Sequence, residues 1–166
     1  MFRIGSIEKG MLAAAVFGSL FFTSASFAQS GSQPFAGMAG VWSGKGSILL
    51  AGGGQEAIRC RATYSVRGDG VALQQTLRCA SDSYKFELSS NVVANGGKLT
   101  GTWSEATRNV SGDVEGTTAG GRFQVVVSAG TFKADLVLTT RGNSQSVVIR
   151  SEGSDFKGVN ITMSRS

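Results

Sequence analysis

The side chains that most often carry catalysis are scarce in this chain. Its 166 residues include no histidine, so there is no imidazole to serve as general base, as metal or haem ligand, or as a proton switch near neutrality. The two cysteines, Cys60 and Cys79, do not have the C-x-x-C spacing of a redox or metal pair, and no third ligand accompanies them. Serine and threonine are abundant, yet no G-x-S-x-G elbow leads into a helix. Asp69, Asp82 and Asp155 fall in turn-like stretches where bonds from side chain to backbone explain them. A carboxylate pair assembled from distant strands is the one catalytic arrangement left open. We therefore expect a protein that is not an enzyme, uses no cofactor and holds no metal.

The cysteines can instead bond to each other. Asp69-Gly70 is a favoured two-residue type I′ hairpin loop. Counting outward from it sets Cys60 opposite Cys79 on one face, at a Cα spacing of about 5.5 Å, which accepts a disulfide. Closing that loop would stabilise the fold by roughly 3 kcal/mol in the chain-entropy picture. The same register pairs Val66 with Leu73, Tyr64 with Gln75 and Ala62 with Leu77. On the opposite face it sets Arg61 across from Arg78 with Arg59 beside them, and like charges facing each other are unfavourable. An Asp82-Ser83 loop brings Glu87 across from Arg78. Arg59, Arg61 and Arg78 are thus a candidate anion patch, or else ordinary solvated charges on a sheet face.

These residues must be positioned by strands. From Gly40 onward apolar residues alternate at period two, and none repeat at helical spacing for three turns. Ten short strands can be drawn, separated by AGGG, RGDG, SDS, NGG, AGG, AG, RGNS and GSDFKG, stretches that favour tight turns. Such short connections join antiparallel neighbours. The fold class is all-β, an antiparallel up-and-down meander of eight to ten strands. Closure into a barrel removes its two edges, and a β-sandwich is the alternative. An outer-membrane barrel is disfavoured, because Arg59, Arg61, Arg78, Lys85 and Glu87 would face lipid. An Asn95-Gly96 loop sets Trp103 opposite Leu88. Gly40, Gly44, Gly46, Gly101, Gly112 and Gly116 lie inside strands, where glycine marks a bend or a close backbone approach. Asn109-Val110-Ser111 matches a glycosylation sequon.

Residues 1–28 read as a signal peptide. Arg3 and Lys9 precede an apolar run from Met11 to Phe22, too short for the roughly 20 residues that span a bilayer, and Ser26-Phe27-Ala28 fits the cleavage rule. Residues 29–39, with the only proline, read as a flexible N-terminal arm, and 40–166 as a single barrel domain. We expect an exported protein, periplasmic or extracellular, with no membrane span after cleavage. The net charge of +5 is scattered rather than clustered, so nucleic acid is not an expected partner.

The first strand opens Gly40-Val41-Trp42 and the last runs Gly158-Val159-Asn160-Ile161-Thr162-Met163-Ser164-Arg165. Here the chain resembles the calycins, the superfamily of lipocalins, fatty-acid-binding proteins and avidins. The resemblance covers the two ends only, and neither the other lipocalin motifs nor the avidin biotin-contacting set is present. It implies a calycin-like barrel in which Trp42 and Arg165 form a structural cation-π lid at the closed end.

A barrel of this kind could bind a small apolar molecule inside, on walls that include Tyr64, Leu77, Phe86, Leu88, Trp103 and Phe132. The alternative is a surface-acting interaction module with an exported protein partner. Small exported barrels with one disulfide and an early G-x-W also resemble bacterial inhibitors of secreted metalloproteases, whose N-terminal arm enters the protease cleft. A cell-envelope structural component is the third reading.

Overall fold

A computed structural model describes residues 33–152 and 154–166. The expected signal peptide, and residues 29–32 of the expected arm, lie outside the described residues.

Among the described residues there are ten strands and no helix. They are β1 (Gly40–Leu50), β2 (Gln55–Arg67), β3 (Ala72–Ala80), β4 (Lys85–Asn95), β5 (Lys98–Glu105), β6 (Val110–Ala119), β7 (Arg122–Ala129), β8 (Phe132–Arg141), β9 (Ser144–Glu152) and β10 (Phe156–Arg165). Each pairs antiparallel with its sequence neighbours, and β1 pairs with β10 from Trp42↔Arg165 to Leu50↔Phe156. The meander is therefore a closed barrel, which rules out the sandwich alternative and leaves no free sheet edge.

Alternation decides which side chains enter the barrel. In β2, Ile58, Cys60, Ala62 and Tyr64 are buried, while Ala57, Arg59, Arg61, Thr63 and Ser65 between them are exposed. The β2–β3 hairpin has Asp69 and Gly70 at positive φ, as a type I′ turn requires, and its register pairs Cys60 with Cys79. The disulfide forms at a Cα distance of 4.1 Å, nearer the narrow non-hydrogen-bonded pair of an antiparallel ladder than the 5.5 Å of the wide one.

One hairpin differs from expectation. The β4–β5 turn is built on Gly96-Gly97, not Asn95-Gly96, so Asn95 pairs with Lys98 and Trp103 faces Ser90 instead of Leu88. Both glycines have positive φ, the conformation that a type I′ turn demands at both central positions and that glycine adopts without a Cβ penalty. The slip is by an even count, so Trp103 keeps the inward face.

Because the strands run alternately up and down, the loops fall at two ends. One end carries the β2–β3, β4–β5, β6–β7 and β8–β9 turns together with both Gly40 and Arg165; the other carries the remaining connections. Neighbouring strands approach most closely at inward glycines. A Cβ on Gly46 would lie 1.8 Å from the Asn160 carbonyl oxygen of β10, so only glycine lets β1 approach it so closely.

Candidate functional site

Inward side chains do not fill the barrel. Leu77, Phe86, Leu88, Val125, Leu136 and Ile149 all point inward yet are only partly buried, because they surround an interior cavity of about 470 Å³. Tyr64, Leu77, Phe86, Leu88, Trp103 and Phe132, the six candidate ligand-lining residues, all line it. Most of the remaining wall is aliphatic, with Val92, Leu99, Val114 and Leu138 among the buried members.

The few polar groups of the wall are largely satisfied among themselves. The Ser90 hydroxyl donates to Gln75 Oε1 at 3.1 Å, and the Tyr64 hydroxyl donates to Gln145 Oε1 at 3.2 Å. Burial raises the Tyr64 pKa above its ordinary value, despite the opposing bond to Gln145, so Tyr64 is a neutral phenol and not a base. Gln145 is 1% exposed, and its Nε2 has no protein partner among the described residues.

One end of the cavity is shut. Trp42 is fully buried there, with the Arg165 guanidinium 4.5 Å above its ring, and its Nε1 donates to the Met38 carbonyl at 2.9 Å. Arg165 also donates to the carbonyls of Gly37 and Ala39, and its Nε donates to Asn143 Oδ1 at 3.1 Å. These bonds hold residues 33–39 across the barrel end. Phe35 stacks on Phe123 at 5.6 Å, and Phe35 and Met38, each 2% exposed, form the cavity floor. The segment read from sequence as a flexible arm is therefore packed over this stretch. Its two large apolar side chains supply the reason, since burying them releases more free energy than a free tether could.

The other end is the mouth, rimmed by aromatic side chains. Trp103 meets Phe132 at 5.9 Å, Tyr84 stacks on Phe86 at 5.9 Å, and Phe86 meets Phe156 edge-on at 5.8 Å. The indole of Trp103 reaches across β6 and donates to the Ser128 carbonyl on β7 at 3.3 Å. Its path crosses Gly112, where a Cβ would lie 1.7 Å from that same oxygen.

Two charged residues at the rim escaped the sequence reading. Glu105 ends β5 pointing inward and is 5% exposed. Its Oε1 accepts from the Glu87 and Thr107 backbone N–H groups at 3.0 and 3.1 Å and from the Thr107 hydroxyl, and its Oε2 accepts from the Arg108 N–H at 2.8 Å. Desolvation pushes the Glu105 pKa up, but these bonds outweigh it and hold it below the ordinary 4.5. Arg108 sits 3.7 Å from this carboxylate and over the Phe86 ring at 5.1 Å, so it roofs part of the mouth. The missed signal was parity: Glu105 shares the inward phase of Leu99, Gly101 and Trp103.

Arg59, Arg61 and Arg78 stand on the outer wall of the barrel and do not line the cavity, with Arg61 across from Arg78. Arg78 lies 3.8 Å from Glu87, both well exposed. Among the described residues no group of three or more Cys, Asp or Glu side chains is placed to hold a metal ion, and no helix is long and apolar enough to cross a membrane.

No family model matches this chain, and no curated protein matches it in sequence. Solved structures do match in fold. The chain is similar to the crystal structure of Rv2717c from M. tuberculosis, with a TM-score of 0.59 and 14% identity over 80% of this chain and 93% of that one. It is also similar to the S-type phycobiliprotein lyase CPES from Guillardia theta, with a TM-score of 0.54 and 12% identity over 80% of this chain and 90% of that one. The class defined is a closed ten-stranded antiparallel β-barrel, a fold compatible with the calycin resemblance at the two chain ends without confirming it. At these identities the likeness concerns the fold alone.

Proposed function

We propose that this protein is an exported, non-enzymatic carrier that holds a small apolar molecule inside its barrel. The observation that carries the reading is the unfilled apolar cavity of about 470 Å³, floored at one end and open to an aromatic mouth at the other. Small-molecule sites occupy about 300–1,000 Å³ and are lined mostly by apolar groups with a few placed polar ones. The fold likeness to a phycobiliprotein lyase supports a guest held within such a barrel. Export is supported by the character of residues 1–28 and by the disulfide, which persists in oxidising compartments. The carboxylate at the mouth, Glu105, is committed to the turn that follows it, which favours binding over acid-base chemistry.

The reading of an N-terminal arm that reaches an exported protein partner is weakened by the burial of Phe35 and Met38. A purely structural envelope component has no use for the cavity.

A tryptophan-fluorescence titration with fatty acids, retinoids and biotin-like compounds tests the carrier. Trp103 lies at the mouth and Trp42 beneath the floor, so a bound guest quenches wild type, and Trp103→Phe loses most of that response. Leu88→Trp, which narrows the cavity without filling it, weakens binding while the barrel still folds. Emission unchanged by every apolar compound would count against the reading.

A further inference from the structure

A cationic face that the cavity does not use adjoins its mouth. Lys45, Arg59, Arg61, Arg78 and Lys85 all stand exposed on the outer wall of β1 to β4. The register sets Lys45 directly across from Arg59, and Arg61 directly across from Arg78. These two like-charge pairs occupy adjacent rows, about 7 Å apart along the strands, and each pair is unfavourable by itself. One carboxylate in these rows answers them, Glu87 at 3.8 Å from Arg78, and so exposed a pair contributes little. A surface that keeps such repulsion is organised for an anion that arrives from outside.

The face lies beside the mouth of the cavity. Arg59, Arg61, Arg78 and Lys85, with the single carboxylate Glu87, rim a shallow depression of about 310 Å³ above Cys60, Cys79 and Ala80. Lys85 also borders a second depression formed by the β3–β4 loop and Arg108, and Arg108 lines the cavity itself. Of the nearby carboxylates, Glu56 is turned onto Ser81 and Ser83 and Glu105 onto its own turn, leaving Asp82 exposed at the loop tip and Asp155 exposed at the mouth. Leu49, 41% exposed, lies on the outward face of β1 beyond Lys45, toward the mouth.

We propose that this face docks on an anionic lipid surface, with phosphate-bearing headgroups against Lys45, Arg59, Arg61, Arg78 and Lys85. The charge of the face complements such a surface, and its place beside the mouth favours a bilayer over a soluble acidic protein. A guest apolar enough for the cavity resides in membranes, and docking here brings the mouth to the headgroups. That last step rests on the carrier reading, whereas the docking itself rests on charge and position.

Flotation with phosphatidylcholine vesicles, with and without phosphatidylglycerol, tests it at low and high salt. Wild type floats with the anionic vesicles only, and high salt releases it. Arg59→Gln with Arg61→Gln weakens this partitioning roughly thirty-fold, at about a fivefold loss per basic side chain near the surface. The double variant melts no lower than wild type, since Arg61→Gln relieves the repulsion with Arg78, and its uptake of apolar compounds in lipid-free buffer is unchanged. Equal binding to neutral vesicles, no binding to anionic ones, or binding undiminished in the double variant overturns the proposal. Capture of wild type by polyglutamate without vesicle binding overturns it in favour of an acidic protein. Vesicle binding without any uptake of apolar compounds sinks the carrier reading and leaves the docking standing.

Discussion

Glu105 shows how one inward charge is made tolerable in an apolar barrel. A buried carboxylate is costly unless its lone pairs are used, and here the β5–β6 turn folds back to supply N–H and hydroxyl donors. The folded pKa lies below the unfolded value of about 4.5, so ionised Glu105 contributes stability that is fully present above that value. That contribution is lost as the pH falls through the lower, folded value. Glu105→Gln should cost about 1–3 kcal/mol at neutral pH. The gap between the two proteins should narrow in acid, which urea unfolding across the range below pH 4.5 would measure. Parity, the signal that was missed, carries the inward placement of Glu105, whereas its partners Thr107 and Arg108 come from turn geometry that alternation does not specify.

At the scale of strands and hairpins, period-two alternation and turn chemistry carried most of the information. Asp69-Gly70 set the register that joins Cys60 to Cys79, and the Arg78↔Glu87 pair follows from the next loop. The β4–β5 hairpin was misjudged because Asn95, Gly96 and Gly97 offer two overlapping type I′ solutions, and the backbone takes the one with glycine at both positive-φ positions. Glycine inside β6 has a different role. Gly112 leaves an opening through which Trp103 of β5 reaches Ser128 of β7. Gly112→Ala would drive a methyl group into that carbonyl, part β6 from β7 and break the indole bond, costing about 1–3 kcal/mol as overpacking does. Thermal melting, with a shift in Trp103 emission, would register both effects.

For the whole molecule the deciding feature is what closes each end. Closure of β1 on β10 brings Arg165 over Trp42 and lets it hold residues 33–39 as a floor. Phe35→Ala should therefore deepen the cavity as well as destabilise the fold by about 3–5 kcal/mol, the usual cost of deleting a buried phenyl. In a series of fatty acids of increasing length, the preferred chain for Phe35→Ala should be longer than for wild type. An unchanged preference would show that the floor does not set the depth.

The sequence by itself determined the all-β class, the meander, which side chains face inward, and the pairing of the cysteines. All of these follow from local rules, because side chains alternate across a strand and short turns permit only antiparallel neighbours. Whether the inward side chains would meet was not a local matter. Ten strands around one axis make a circumference whose middle the available leucines, valines and phenylalanines do not reach, so the cavity exists only in the closed barrel. The packing of Phe35 and Met38 into the floor likewise needed the tertiary structure, since Phe35 stacks on Phe123 of β7 and the neighbouring Gly37 and Ala39 carbonyls are held by Arg165 of β10, both far along the chain.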